Sequence, residues 1–288
     1  MSEMFTKVVR ATVPRELRNW FRSPSRSAQW IFDSVLFHFG ITKNLTLTNN
    51  CTLVCHPAAF RVYSQAQVSD PEQALEFKSF LSYCSKSMLL FDVGASFGAF
   101  SVAAARFGGK VVALDPSPFA AEMIGVQAEL NECETSVKIV EATVSDTNGI
   151  VDVISSGVFS NGYFRVTKRY SKSELTPTRA ITIDQLSREV GLPTHIKIDV
   201  EGHEGAVLRG AANTIRQSSP ILFLELHNEI IRSEGGDPAM VFDILVGSGY
   251  GIFGSNGEPL SSSAILRSPI TRVVAKRGRL FRQMPGCA

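Results

Sequence analysis

A chain of 288 residues, 44% hydrophobic and 19% charged, can bury a full core and does not have a disordered composition. A formal charge of +2 is too small to argue for a nucleic-acid partner, which a strong basic excess or a basic stripe would signal. No apolar run reaches the roughly 18 residues that cross a bilayer, and no signal-peptide core follows Lys7, Arg10, Arg15 and Arg18. The cysteines (Cys51, Cys55, Cys84, Cys133, Cys287) are odd in number and form no C-x-x-C pair. That speaks against a disulfide framework or zinc knuckle, and the expected setting is a reducing cytoplasm.

Two regions are expected: a helical arm with a short hairpin over 1–70, and the main domain over 71–288. Up to about residue 40, Arg10, Arg15, Arg18, Arg22 and Arg26 are interleaved with Trp20, Phe21, Trp30, Phe32, Leu36 and Phe37. Such an arm packs its aromatic side on the body or on a second copy of the chain, or lies on a membrane surface. Pro24 interrupts any long helix there. Residues 45–65 alternate as a hairpin does, ahead of the turn signal Ser69-Asp70-Pro71.

From residue 72 the pattern is regular. Leu75, Phe77, Phe80 and Leu81 mark a helix, Met88 to Phe91 a buried strand, and Phe100 to Phe107 a helix closed by Gly108-Gly109. Lys110 to Leu114 is a second strand, followed by helical spacing at Phe119, Met123, Val126 and Leu130. Val137–Val140, Ile196–Val200 and Ile221–Leu226 are further strands, with a helix over Glu204–Ile215 between the last two. Apolar strands alternating with amphipathic helices predict an α/β fold, a mostly parallel sheet covered on both faces. Between residues 145 and 183 the rhythm breaks. Gly149–Ile154, Gly162–Val166 and Arg179–Ile183 read as short strands of an insertion over the ligand edge.

Chemistry concentrates at the strand ends. The loop Asp92-Val93-Gly94-Ala95-Ser96-Phe97-Gly98 is a strand-to-helix turn whose glycines permit a sharp bend and a close ligand approach. Its spacing is G-x-x-x-G, not the G-x-G-x-x-G of dinucleotide folds, and Asp92 would repel a pyrophosphate but suit an ammonium group. Asp115, followed by Pro116-Ser117-Pro118, ends the second strand, where an acid can accept bonds from ribose hydroxyls. The bland alternative makes Asp115 or Ser117 a helix cap. Glu141 and Ala142 follow the third strand, at a position for an adenine edge or a plain turn.

In His195-Ile196-Lys197-Ile198-Asp199-Val200-Glu201-Gly202-His203-Glu204, alternation puts Lys197 and Asp199 on one face. A lysine inside an apolar strand needs a partner, and Asp199 is the nearest candidate. Asp199, Glu201, His203 and His227 are the candidate bases, and Glu225 and His227 end the adjacent strand. Although Asp, Glu and His together can hold a divalent ion, these spacings match no metal motif and no metal site is assigned.

That run, together with Phe91–Phe100, Asp115–Pro118, Thr182-Ile183-Asp184-Gln185-Leu186 and Leu224-Glu225-Leu226-His227, resembles the FkbM-type methyltransferase family over roughly residues 88–275. The resemblance implies a Rossmann-like class I fold with a seven-stranded sheet and S-adenosylmethionine as methyl donor. It also implies O-methylation of a sugar, glycan or small natural product. On this reading Asp92, Gly94, Ala95, Ser96, Phe97, Gly98, Asp115, Pro116 and Ala142 bind the cofactor, and Asp199, Glu201 and His203 act in catalysis. The acceptor is expected to be a small molecule or glycan rather than nucleic acid. No base-clamping Asn-Pro-Pro-Tyr segment is present. A catalytically silent module, a nucleic-acid methyltransferase and an NAD(P)-dependent oxidoreductase are the alternatives.

Overall fold

The computed structural model describes residues 24–48, 51–155, 164–166 and 175–277. The basic residues Arg10 to Arg22, with Trp20, Phe21 and Cys287, lie outside them. The described chain opens with helix α1 (Pro24–His38), a hairpin of β1 (Lys43–Thr48) and β2 (Cys51–Cys55), and helices α2 (Pro57–Ser69) and α3 (Pro71–Leu81). A β-α-β-α-β run follows: β3 (Leu89–Val93), α4 (Ala99–Arg106), β4 (Lys110–Asp115), α5 (Pro118–Leu130) and β5 (Val137–Glu141). The insertion holds β6 (Thr143–Val144), β7 (Gly149–Ser155), β8 (Phe164–Val166) and β9 (Leu175–Ile181). Next come α6 (Ile183–Val190), β10 (His195–Ile198), α7 (Glu204–Arg209), α8 (Ala212–Ser218) and β11 (Ile221–Leu226). Helices α9 (Asn228–Ser233) and α10 (Ala239–Gly247), strand β12 (Gly251–Gly254), helix α11 (Ser262–Arg267) and strand β13 (Thr271–Lys276) complete it.

The main sheet has seven strands in the order β12-β13-β11-β10-β3-β4-β5. Pairings from β11 through β10, β3 and β4 to β5 are parallel, and β13 alone runs antiparallel to both its neighbours. This is a Rossmann-like α/β sheet. The chain works outward from β3 to β5, then returns to β10 beside β3, so the order reverses between β3 and β10. Ligands bind at the strand C-termini flanking such a switch point. The insertion is a separate four-stranded sheet, β6-β9-β7-β8.

Strand alternation sorts the core into two layers. Leu90, Val111, Ala113, Phe223 and Val274 pack under α2 to α5, with Tyr63, Phe77, Phe80 and Met123. Phe91, Val112, Leu114, Ile198, Leu224 and Val273 pack on the opposite face with Leu186, Val207, Ile215 and Leu245. The expected boundary near residue 70 crosses the first layer, because Leu53, Cys55 and Tyr63 share it with Phe80 and Leu90.

Several expectations are corrected. Residues 57–65 are helical, not hairpin: Pro57 suits a first helical turn, the His56 imidazole accepts the Ala58 N–H, and Ala59 and Tyr63 fall one turn apart in the core. Pro24 begins α1 rather than breaking it. The predicted helix over 204–215 divides at Gly210-Ala211, where the Ser145 carbonyl oxygen would lie 2.1 Å from a Cβ on Gly210 and so requires glycine. Ile183 starts α6 behind its cap Thr182 instead of ending a strand. Asp70, read as part of a turn, caps α3 through the N–H groups of Glu72 and Gln73. The chain's contact with its own N-terminal region is direct, since Trp30 meets Phe119 edge-on at 5.9 Å. Ile31, Phe32 and Val35 on α1, and Phe39 just after it, are exposed.

Candidate active site

The loop between β3 and α4 is held from three sides. The N–H groups of Gly94 and Ala95 both donate to the Leu114 carbonyl of β4, and the Tyr63 hydroxyl of α2 donates to the Phe97 carbonyl. A Cβ on Gly94 (φ +79°) would lie 1.8 Å from the Asp199 carbonyl oxygen, so glycine is required there by the turn after β10 rather than by a ligand. The loop and that second turn are therefore in direct contact. Ser96 and Glu201, one in each turn, both hold a left-handed backbone, φ +50° and +51°, which costs a non-glycine residue roughly 1 kcal/mol.

Asp115 sits at the tip of β4 with 5% of its surface exposed. One carboxyl oxygen accepts the Ser96 N–H and the other the Ser117 N–H, both at 2.9 Å, so each oxygen keeps capacity for a further donor. Burial pushes its pKa up to about 7 against the pull of those two bonds. Ser117 caps α5 through Ala120 N–H, so capping and an open Asp115 coexist. Asp92 is turned inward: it is 1% exposed, accepts the Ser101 hydroxyl at 2.6 Å, and is raised by burial to about 6. Ala142 is buried and Glu141 exposed.

The face of the sheet that carries Asp92 also carries the charged network. Lys197 is 1% exposed, and its ammonium lies 3.0 Å from Glu76 of α3, 3.7 Å from Asp199 and 4.0 Å from Glu225. It also lies 5.1 Å over the Phe100 ring. Arg272 of β13 forks onto both oxygens of Glu225, at 2.8 and 3.1 Å, and reaches Asp70 at 2.8 Å. Burial alone would lower the Lys197 pKa, but Glu76, Asp199 and Glu225 outweigh it and the ammonium stays charged.

Next to this network, His227 is 4% exposed and its Nδ1 lies 2.8 Å from Oε1 of the fully buried Glu204. The same Glu204 oxygen accepts the Gly202 N–H at 3.1 Å, tying the turn after β10 to the end of β11. His227 Nε2 faces Glu201 at 3.4 Å and Asp199 at 3.9 Å. Burial lowers an imidazole, yet the Glu204 bond and the surrounding carboxylates push His227 up to about 9. Glu201 rises to about 7, through burial first, despite His227.

Of the expected catalytic residues, Asp199 and Glu201 converge, and the histidine that meets them is His227. His203 turns away to the insertion, with Nε2 3.0 Å from the Ser145 hydroxyl. Sequence reasoning missed Tyr63, Glu76 and Arg272. Glu76 carried a signal, an acid beside Phe77 on the apolar face of its helix. Tyr63 carried none.

Comparison with known proteins adds the following. Residues 92–251 match the Methyltransferase FkbM domain family. Hexuronic acid methyltransferase AglP of Haloferax volcanii is 28% identical over 159 residues, covering 54% of this chain and 61% of that protein. The match thus spans less than two thirds of that relative's length. Among solved structures, methyltransferase FkbM from Methylobacillus flagellatus KT is 16% identical with a TM-score of 0.46, covering 75% of this chain and 53% of that one. An O-methyltransferase from Bacillus cereus in complex with SAH is 13% identical with a TM-score of 0.42, covering 76% and 90% respectively.

Proposed function

The chain belongs to the FkbM methyltransferase domain family, and on that premise we propose that it moves a methyl group from S-adenosylmethionine to a hydroxyl of a sugar or glycan. The observation that carries this reading is the contact between two turns, with Gly94 packed on the Asp199 carbonyl. The first turn would hold the cofactor, and the second turn, packed against it, carries Asp199 and Glu201 with His227 beside them. The residues present fit that cofactor. Asp115 offers two acceptor oxygens at the sheet edge, held by backbone N–H groups in a position suited to a ribose diol.

S-adenosylmethionine supplies a methyl already activated for in-line displacement, so the protein's share is orientation and proton handling. The Ser96 and Phe97 backbone, pinned by Asp115 and Tyr63, keeps the first turn rigid. Asp199 and Glu201, with side chains 30% and 16% exposed, are open enough to meet an acceptor hydroxyl. Glu201 takes its proton, and His227 beside it holds the charge of the ionised carboxylate. Uronic acid residues are the first acceptors to try, because the AglP relative is named for hexuronic acid.

Incubation with methyl-labelled S-adenosylmethionine and a panel of uronic-acid and neutral glycans tests this reading. The expected product is an alkali-stable methyl ether. Label released by mild alkali would mean a carboxyl ester instead, and no transfer to any acceptor would contradict the reading.

A further inference from the structure

The network around His227 carries more negative charge than its permanent cations answer. Six carboxylates, from Asp70, Glu76, Asp199, Glu201, Glu204 and Glu225, are shared among Lys197, Arg272 and His227. Most of that charge is deep, where an uncompensated carboxylate is expensive. The excess is also localised. Lys197 and Arg272 answer Glu76, Glu225 and Asp70, and Lys197 reaches Asp199 from one side at 3.7 Å, which leaves Glu201 and Glu204 around one imidazole.

We propose that Asp199, Glu201 and His227 bind a divalent metal ion, and that the ion in turn holds two adjacent oxygens of the acceptor. Each of the three residues offers one ligand atom, and these atoms lie within 4.8 Å of one another. A six-coordinate shell with bonds of about 2.1 Å puts neighbouring ligand atoms about 3 Å apart and opposite ones about 4 Å apart.

A second feature points to an ion independently of the acidic cluster. His227 is 4% exposed and is gripped at Nδ1 by Glu204, while its Nε2, which accepts or donates no hydrogen bond among the described residues, faces Glu201 at 3.4 Å, Glu225 at 3.8 Å and Asp199 at 3.9 Å. A carboxylate bonded to one ring nitrogen orients a metal-binding histidine, and the ion would take the place of the proton that Nε2 otherwise carries, releasing it to solvent. Glu201 Oε2, opposite that nitrogen, is also shielded from solvent and has no hydrogen-bond partner. Two carboxylates and one imidazole suit Mn²⁺ or a similar first-row ion better than Mg²⁺, which seldom takes nitrogen.

Three protein donors leave coordination positions open on the side where Asp199 and Glu201 are exposed. A vicinal diol or a hydroxy-carboxylate fits there through two oxygens, and both occur in uronic acids. Each carboxylate gives one oxygen to the ion, so Glu201 keeps the other for the acceptor's proton. The acceptor's place rests on the methyl-transfer reading above; binding of the ion does not.

Titration of the full chain with Mn²⁺, followed by the electron paramagnetic resonance of the free ion, tests the site without any turnover. The expected result is one saturable Mn²⁺ per chain. Binding should weaken at least about tenfold in His227→Ala and in Glu201→Gln, and measurably in Glu204→Gln, which keeps an acceptor oxygen for Nδ1 and Gly202 but removes its negative charge. Asp243→Asn, on the exposed side of α10, should bind as the unaltered chain does. Circular dichroism identifies a misfolded variant, and Glu201→Gln, the more exposed change, then decides. Absence of saturable binding to the folded chain overturns the proposal, as does equal binding by Glu201→Gln. S-adenosylhomocysteine titrated into the same samples keeps the two ideas apart: its binding without Mn²⁺ binding removes the ion and leaves the methyl-transfer reading standing.

Discussion

On the proposed function, Asp115 is the side chain that bears most on cofactor binding. Each oxygen already accepts one backbone N–H, and each has capacity for one ribose hydroxyl. Asp115→Ala should therefore weaken S-adenosylhomocysteine binding by about 1–3 kcal/mol, tenfold or more, read by calorimetry. Acidity should matter too. Burial raises this carboxyl from 3.8 to about 7, and the protonated form loses acceptor capacity, so affinity should fall as pH drops below about 7. The apo fold should respond in the opposite direction. A carboxyl that binds its proton more tightly folded than unfolded adds stability below about 4, and that contribution is lost as pH rises through about 7. A urea midpoint that does not move over that range would count against the assignment. Lys197 gives a second test at this scale. Lys197→Met leaves Glu76 with Arg272 alone, at 3.6 Å, takes the cation from Asp199, and should cost about 3–5 kcal/mol in urea unfolding; adding Glu76→Leu should recover a large part. The pairing of Lys197 with Asp199 was legible from strand alternation. Its nearer partner, Glu76, was not, because the contact joins a strand to a helix far upstream.

Among elements, the strands were the most legible, since each buried parallel strand is a short apolar run between turn signals. Strands β12 and β13 escaped notice. Gly251-Ile252-Phe253-Gly254 is too short to stand out, and Arg272 interrupts β13 with a charge that only the folded network explains. The split of α7 from α8 was equally hidden, and so was the Ser145 carbonyl that requires glycine at Gly210 where they part. Helix α3 shows how an element's end can serve the site. Asp70 caps it and also takes Arg272, which anchors Glu225 beneath the cluster. Asp70→Ala should cost about 1 kcal/mol through the lost cap, read in urea unfolding. Asp70→Asn, which keeps the cap and loses the ion pair, should cost less.

At the scale of the whole molecule, the two turns meet because the sheet order reverses between β3 and β10. The sequence pattern implied that edge once the strands were taken as parallel, and the resemblance supplied the remaining strands. It could not show that α2 and the hairpin belong to the same core, with Tyr63 bonded to the turn after β3. Nor could it choose between His203 and His227, since the choice depends on which way each turn faces. The most direct measurement of the central claim is calorimetric titration of the chain and of Asp115→Ala with S-adenosylhomocysteine, with NAD as control. One site for S-adenosylhomocysteine, weakened tenfold or more in Asp115→Ala and absent for NAD, is the predicted result. No binding of S-adenosylhomocysteine, or equal affinity in Asp115→Ala, would contradict it.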